Sequence, residues 1–248
     1  DFASPPTTKE GHRAAYQNTI AMAESVRTEL DLHVRVVLGP HPAAFAHQFI
    51  EWVEQDGAKG KNRAIENYRD SIDEAVKFYH EGKAHAIGEV GRPHWEVSQE
   101  IWDLSNDLLC ETMSLAANDG FALQLHVEGE LESTYSDMAA MAEKSGLQKD
   151  RLIRHYSPPN VEAKITQGLT PSVLAGKGAL ATLLATAEQC SHGFMLETDY
   201  MDDLRRPGAV LGPKTVPKRT NQLLNAGIDE ELLWRAHVDL PNELYGQE

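Results

Sequence analysis

Imidazole and carboxylate side chains end four short apolar runs that lie far apart in the sequence. These residues are Glu89, His126, His155 and Asp199. Imidazole nitrogens and carboxylate oxygens together suit a borderline divalent metal such as Zn²⁺ or Mn²⁺, whereas Ca²⁺ prefers oxygen ligands alone. A metal held by such groups would acidify a bound water, and a nearby carboxylate could take the proton. The pattern therefore predicts metal-dependent hydrolysis.

Further polar residues near these positions are weaker candidates. His41 and His94 each lie beside a proline in a loop, so either could serve only to hold a turn. Glu128 stands two residues after His126 and could contact a ligand, or it could be a solvated or helix-start carboxylate. The same two alternatives hold for Glu197.

A basic stretch follows the last apolar run. In an acidic chain it can attract an anion, and barrels often bind phosphate in the loops after their last strands. The alternative is an ordinary exposed loop whose charge is offset by Asp202 and Asp203. The basic residues are Arg205, Arg206, Lys214, Lys218 and Arg219. Lys214, which lies between Gly-Pro and Thr-Val-Pro, is the strongest candidate among them.

Composition limits the classes of partner. The chain of 248 residues has 23 Lys and Arg against 38 Asp and Glu, a formal net charge of −15. This charge repels nucleic acid and anionic membranes at long range, so an anionic substrate needs a metal or a local basic patch. Two cysteines are too few for a disulfide framework and predict a cytoplasmic protein. The chain contains no run of about 18 apolar residues, which predicts that it does not span a membrane.

Short apolar runs alternate with longer amphipathic stretches along the chain. The predicted strands cover residues 33–38, 85–90, 121–127, 151–156 and 194–198. The predicted helices cover residues 16–30, 45–53, 97–108 and 171–189. Alternation of this kind predicts an α/β fold with a parallel sheet covered by helices. No Gly/Ser-rich linker divides the chain, so we expect a single domain over residues 1–248.

The strand ends decide between an open sheet and a closed barrel. In a closed (β/α) barrel of the TIM type, the carboxyl ends of the strands surround one cavity. The four candidate ligands stand at such ends, so a barrel would bring them together although they are distant in sequence. We therefore expect a TIM-type barrel.

Several short motifs occur here in a characteristic order: Gly-Pro-His-Pro, Gly-Glu-Val-Gly, Gln-Leu-His, His-Tyr-Ser and Glu-Thr-Asp. In this order they resemble the TatD-like metal-dependent hydrolases of the amidohydrolase superfamily. Gly-Arg-Pro-His-Trp and the stretch from Arg-Pro-Gly-Ala to Val-Pro-Lys-Arg are more similar to the TatD-related proteins found mostly in archaea. The resemblance runs from about Arg13 to Gly246 and implies a TIM barrel.

The resemblance also implies roles for particular residues. Glu89 matches a carboxylate that binds or bridges metal, and His126 and His155 match histidine ligands. Asp199 matches an aspartate that binds metal and helps to activate the water, whereas His41 matches a histidine that lines the pocket. One or two divalent ions, Zn, Mn or Mg, are implied, and the better known members are associated with metal-dependent DNase activity.

One part of the family pattern is missing from this sequence. The family opens with a strand that carries Asp-x-His-x-His, and no such motif follows Asp1. We therefore expect a barrel that is N-terminally incomplete and lacks its first one or two β/α units, roughly 50 to 60 residues. The metal site would then be short of two imidazoles.

These observations predict a hydrolase in which a metal-activated water attacks a phosphodiester or a related ester. Glu89 and Asp199 are the expected catalytic carboxylates. The expected substrate-binding residues are His41, Arg92, His94, Glu128 and Lys214, of which Arg92 and Lys214 would orient an anion. The substrate would be a small molecule or a short nucleic acid, and an oligomer is possible. The alternatives are an amidase or lactonase, or a non-catalytic ligand-binding barrel that lacks the first metal pair.

Overall fold

The computed structural model describes residues 4–129, 132–201 and 210–246. By its internal contacts the chain divides into two compact units. The first unit consists of Asp1–Glu128 with Lys144–Leu147, and the second of Gly129–Glu143 with Gln148–Gln247. The expectation of a single domain stays a prediction.

In the first unit three parallel strands alternate with helices. Strand β1 pairs with β2 through Val37 and Ala86, and β2 pairs with β3 through Ile87 and Leu123. The elements in chain order are α1 (Lys9–Leu30), β1 (Val37–Leu38), α2 (Pro42–Asp56), α3 (Ala58–His80), β2 (Ala86–Gly91), α4 (Gln99–Asp119) and β3 (Leu123–His126). The carboxyl ends of β1, β2 and β3 therefore lie along one edge of this sheet.

The core of the first unit surrounds β2. Ala86, Ile87 and Val90 of this strand are fully buried. A strand buried on both faces must be apolar along its length, which is typical of parallel sheets covered by helices. Beyond β1, Gly39 lies so close to β2 that a Cβ atom on it would stand 2.9 Å from the backbone nitrogen of Gly88. The absence of that side chain lets the loop after β1 approach the end of β2.

The second unit also contains three parallel strands. Strand β4 pairs with β5 through Ile153 and Thr170, and β5 pairs with β6 through Ser172 and Met195. The elements are α5 (Glu132–Ser145), β4 (Leu152–Ser157), α6 (Ala163–Thr166), β5 (Thr170–Leu174), α7 (Ala179–Thr186), β6 (Met195–Glu197), α8 (Thr215–Asn225), α9 (Glu230–Trp234) and α10 (Leu240–Tyr245). A π-helical turn, Arg235–Asp239, joins α9 to α10. The apolar core of the second unit includes Val173, Leu183, Phe194 and Leu223. These side chains pack β5 and the start of β6 against α7 and α8.

The predicted α/β alternation is confirmed, and each of the five predicted strands overlaps an observed one. The prediction of one helix from Pro171 to about Gln189 is wrong. Residues Thr170–Leu174 form β5, and helix α7 begins only at Ala179. A buried strand and a short apolar helix follow each other closely there, so their combined apolar residues imitate the spacing of one long helix. The glycines at 176 and 178 mark the break between the strand and the helix.

Among the residues that the structure describes, no helix combines the length and the apolar character needed to cross a bilayer.

Candidate functional site

A first cluster of polar side chains lies at the strand ends of the first unit, and consists of His41, Glu89, His94 and His126. Glu89 belongs to β2, and His126 is the last residue of the neighbouring strand β3. The Nδ1 atom of His126 lies 3.2 Å from Oε2 of Glu89. The same carboxylate oxygen lies 3.7 Å from Nε2 of His41. One ligand atom from each of these three residues therefore falls within 4.8 Å of the others.

His94 contacts the other side of the His126 ring. Its Nδ1 atom lies 2.8 Å from Nε2 of His126, so one of these nitrogens carries the proton that the other accepts. The pKa of His94 is lowered, first because neighbouring atoms desolvate the ring and second because a charged His126 would repel a second positive charge. A hydrogen bond from Nε2–H of His126 to Nδ1 of His94 would place a lone pair on Nδ1 of His126, the atom that faces Glu89.

Arg92 and Glu128 lie close together in the first unit and bind each other. The Nε atom of Arg92 donates to Oε2 of Glu128 over 2.8 Å, and Nη2 donates to Oε1. Nη1 donates to Asn106, and the guanidinium lies 4.4 Å from the centre of the Trp102 ring. Only 3% of the Arg92 side chain is exposed. The pair holds the loops after β2 and β3 together, and its contact with a substrate stays a prediction.

A second cluster lies at the strand ends of the second unit and consists of His155, Glu197 and Asp199. The Nδ1 atom of His155 lies 2.9 Å from Oε1 of Glu197, and its Nε2 atom lies 3.9 Å from Oδ1 of Asp199. Glu197 also accepts hydrogen bonds from the hydroxyl of Ser172 and from the backbone amide of Tyr156. Because this carboxylate accepts from three groups, it holds His155 with Nε2 turned toward Asp199.

The backbone of the second cluster is strained at two positions. Tyr156 and Asp199 have φ angles of 51° and 49°, in the left-handed region that residues other than glycine rarely adopt. Such a conformation costs on the order of 1–3 kcal/mol and persists only where surrounding contacts impose it. The hydrogen bond from the Tyr156 amide to Glu197 is one such contact. Strained residues of this kind are concentrated at functional sites.

The predicted anion-binding stretch is only partly described. Lys214 is exposed and directly precedes α8, whereas Arg205 and Arg206 lie outside the described residues. Arg219 is buried, and its guanidinium donates to the carbonyl of Ala175 and to Gln222. Arg219 therefore holds α8 against the end of β5, and among the described candidates the exposed charges are those of Lys214 and Lys218.

Sequence reasoning missed the role of Ser172 and left that of Glu197 open. Ser172 lies on β5, the strand that was predicted as helix, and its hydroxyl orients Glu197. A signal for Glu197 was present, because it stands two residues before Asp199 in the same Glu-Thr-Asp motif.

Comparisons with known proteins bear on the family and the fold of this chain. The family model described as TatD related DNase matches residues 8–246. An uncharacterized protein of Methanocaldococcus jannaschii, MJ1127, is 33% identical over 210 residues, which cover 84% of this chain and 71% of that protein. The phosphotriesterase homology protein of Escherichia coli, solved with phosphate in its active site, is similar in structure with a TM-score of 0.58 at 13% identity. That match covers 90% of this chain and 78% of the other.

A mutant of an organophosphorus hydrolase has a TM-score of 0.56 at 15% identity, and the match covers 91% of this chain and 74% of the other. At these sequence identities the structural matches show similarity of fold alone. They confirm the predicted fold class, an α/β fold of the TIM type. The match of the family model across nearly all of the sequence, together with the archaeal relative, shows that the chain belongs to the TatD related DNase family.

Proposed function

We propose that this chain is a metal-dependent hydrolase in which a metal-activated water attacks a phosphodiester or a related ester. The observation that carries the proposal is the pairing of an imidazole nitrogen with a carboxylate oxygen at the strand ends of each unit. In the first unit the pair is His126 and Glu89, 3.2 Å apart, and in the second it is His155 and Asp199, 3.9 Å apart.

The donor atoms of these pairs fit a divalent metal. Ligand atoms that share one tetrahedral zinc at about 2.1 Å lie about 3.4 Å from each other, which is close to both observed separations. We propose that the ligands of one or two ions, Zn, Mn or Mg, are Glu89, His126, His155 and Asp199. A bound ion would supply a water of lowered pKa and would polarise an oxygen of the substrate.

The protein's own groups have separate tasks in this proposal. Asp199 accepts the proton of the attacking water at its carboxylate, while Glu89 completes the negative charge that holds the cation. Glu197 accepts a hydrogen bond from Nδ1–H of His155 and so keeps the Nε2 lone pair directed to the side of Asp199. Carboxylates that contact histidine ligands in this way fix the orientation of the ring and raise its basicity.

The charge of the protein favours a small or short substrate. A net charge of −15 repels a long polyanion, whereas a small phosphoester or a short nucleic-acid end presents few phosphates. Phosphate occupies the active site of the Escherichia coli relative, which supports a phosphoester here. The proposed substrate-binding residues are His41, Arg92, His94, Glu128 and Lys214. Two free cysteines fit a reducing compartment, so we propose the cytoplasm as the location.

The test is metal analysis of the purified full-length protein, followed by assays against bis(p-nitrophenyl) phosphate, a short single-stranded oligonucleotide and a panel of lactones and amides. We expect one or two equivalents of metal and turnover of a phosphodiester. Asp199→Asn should lower kcat by about 10²–10⁴-fold, the usual contribution of a general base. Asp229→Asn is the matched control, because Asp229 caps α9 through its side chain and asparagine caps a helix equally well.

Three results would contradict the proposal in different ways. Turnover of lactones or amides alone would favour the amidase or lactonase alternative. Absence of metal after reconstitution would favour a non-catalytic barrel. Full turnover by Asp199→Asn would remove Asp199 as the base.

A further inference from the structure

His41 begins helix α2, and its side chain has a defined hydrogen-bonding role there. It is the N-cap residue, and its Nδ1 atom accepts a hydrogen bond from the backbone amide of Ala43 over 3.1 Å. An acceptor nitrogen must offer a lone pair, so Nδ1 carries no proton. In the neutral ring the proton therefore sits on Nε2.

The protonated nitrogen faces the first cluster. Nε2 of His41 lies 3.7 Å from Oε2 of Glu89, and the centre of the His41 ring lies 4.2 Å from that of His126. Only 15% of the His41 side chain is exposed. The cap thus directs an N–H group, and not a lone pair, toward the carboxylate and imidazole proposed as metal ligands.

This arrangement opposes metal binding by His41 despite its short distances to Glu89 and His126. Coordination through Nε2 would require a lone pair there and would move the proton to Nδ1. That proton would then point at the amide N–H of Ala43, and the cap of α2 would be lost. A doubly protonated ring would lose the same bond and would place a positive charge at the positive end of the helix dipole.

We propose that His41 is a neutral hydrogen-bond donor, through Nε2–H, to an anionic oxygen of the substrate beside Glu89, and is not a metal ligand. The inference rests on the proposed hydrolase function. It specifies in addition which atom of His41 contacts the substrate and which tautomer the ring adopts. No proton leaves the ring, because Nδ1 stays bonded to Ala43 and loss of the Nε2 proton would leave an imidazolate. A neutral imidazole held at a helix N-terminus can polarise a substrate oxygen in this way.

The decisive variant is His41→Asn. The asparagine oxygen can accept from the Ala43 amide, so α2 keeps its cap while the imidazole N–H is lost. We expect unchanged metal content and an unchanged absorption spectrum of the Co²⁺-substituted protein. The value of kcat/KM for bis(p-nitrophenyl) phosphate should fall about 10²-fold, as when one oxyanion donor is removed. Inorganic phosphate, titrated calorimetrically into metal-loaded and metal-free protein, should bind about tenfold more weakly.

Two further variants separate the roles of cap, donor and ligand. Ser98→Ala removes the side-chain cap of α4, which accepts from the Ile101 amide, and should lower the Tm without changing kinetics or phosphate binding. His126→Asn should lose metal, unlike His41→Asn.

Loss of metal from His41→Asn would overturn the inference, since it would make His41 a ligand. Unchanged kcat/KM together with unchanged phosphate affinity would overturn it as well. If the parent protein binds no metal, the proposed function fails separately. Nitrogen NMR of the His41 ring in the metal-free protein then tests the tautomer, and a proton on Nδ1 would contradict the inference.

Discussion

The two strand-end clusters hold their histidines in opposite ways. In the first cluster His126 turns Nδ1 to Glu89, and a second imidazole, His94, contacts its Nε2 atom. In the second cluster His155 turns Nε2 to Asp199, and the carboxylate of Glu197 contacts its Nδ1 atom. The first histidine thus has a neutral outer partner and the second an anionic one. Because an anionic partner raises the basicity of a ligand more strongly, His155 should be the stronger metal ligand.

Burial and backbone geometry differ in the same direction. The side chain of His155 is 6% exposed, whereas that of His126 is 19% exposed. The two residues other than glycine that have a positive φ near a cluster, Tyr156 and Asp199, both belong to the second. A buried ring that contacts a charged partner, and whose neighbouring backbone is held in a strained conformation by surrounding contacts, has little freedom to reorient. The second cluster is therefore the more rigid of the two.

Among the changes to the outer partners of the two histidines, removal of the charge of Glu197 should have the largest effect on metal affinity. Glu197→Gln keeps a carbonyl that can accept from His155 but loses the negative charge. We expect metal affinity to fall about 10–100-fold, the usual range for an outer partner of a metal-ligating histidine. Competition with a chelating dye measures it, and Glu188→Gln, an exposed position in the same unit, is the control. Unchanged affinity would mean that the Glu197 contact serves only to join β4 and β6.

A smaller effect is expected at His94. His94→Gln replaces one neutral acceptor by another, so metal affinity should fall by less than about tenfold, below the range expected for a charged outer partner. The control is His80→Gln, because His80 is exposed and its ring contacts the carboxylate of Asp119, away from either cluster. A larger loss for His94→Gln than for Glu197→Gln would reverse our ranking of the two clusters.

The smallest effect concerns acid stability, to which the buried His12 of the first unit and the half-buried His192 of the second contribute. The pKa values of His12 and His192 are both lowered, chiefly because burial disfavours the charged ring. These two histidines therefore bind protons more readily in the unfolded chain than in the folded one. Their contribution to the free energy of unfolding should be constant above the ordinary histidine pKa of 6.5 and should decline as the pH falls below it.

Urea unfolding at several pH values measures this decline. His12→Gln should reduce the pH dependence attributable to the first unit, because glutamine does not titrate. His80→Gln, at an exposed site, is again the comparison. A decline of the same steepness in His12→Gln and in the parent protein would exclude His12 as a source of acid sensitivity.

Much of the fold was predictable from local patterns. Strands such as Ala86–Gly91 are short apolar runs with polar ends, and their alternation with helices predicted the parallel sheet pairing. The failure at Thr170–Leu174 has a physical reason: only residues 175–178 separate the buried strand from the short apolar helix, so the apolar residues of the two elements together imitate one long helix. Loss of that strand from the prediction also concealed Ser172, which orients Glu197.

The sequence by itself determined which residue types stand at the strand ends, because chemistry and strand alternation are both local properties. It therefore predicted the identity of the candidate ligands Glu89, His126, His155 and Asp199. Only the tertiary structure decided what each side chain contacts. Arg92 binds Glu128, and His41 accepts from the Ala43 amide, so its ring presents N–H and not a lone pair. The reason is that a tautomer or an ion pair depends on distances of about 3 Å between atoms, which residue spacing along a chain does not specify.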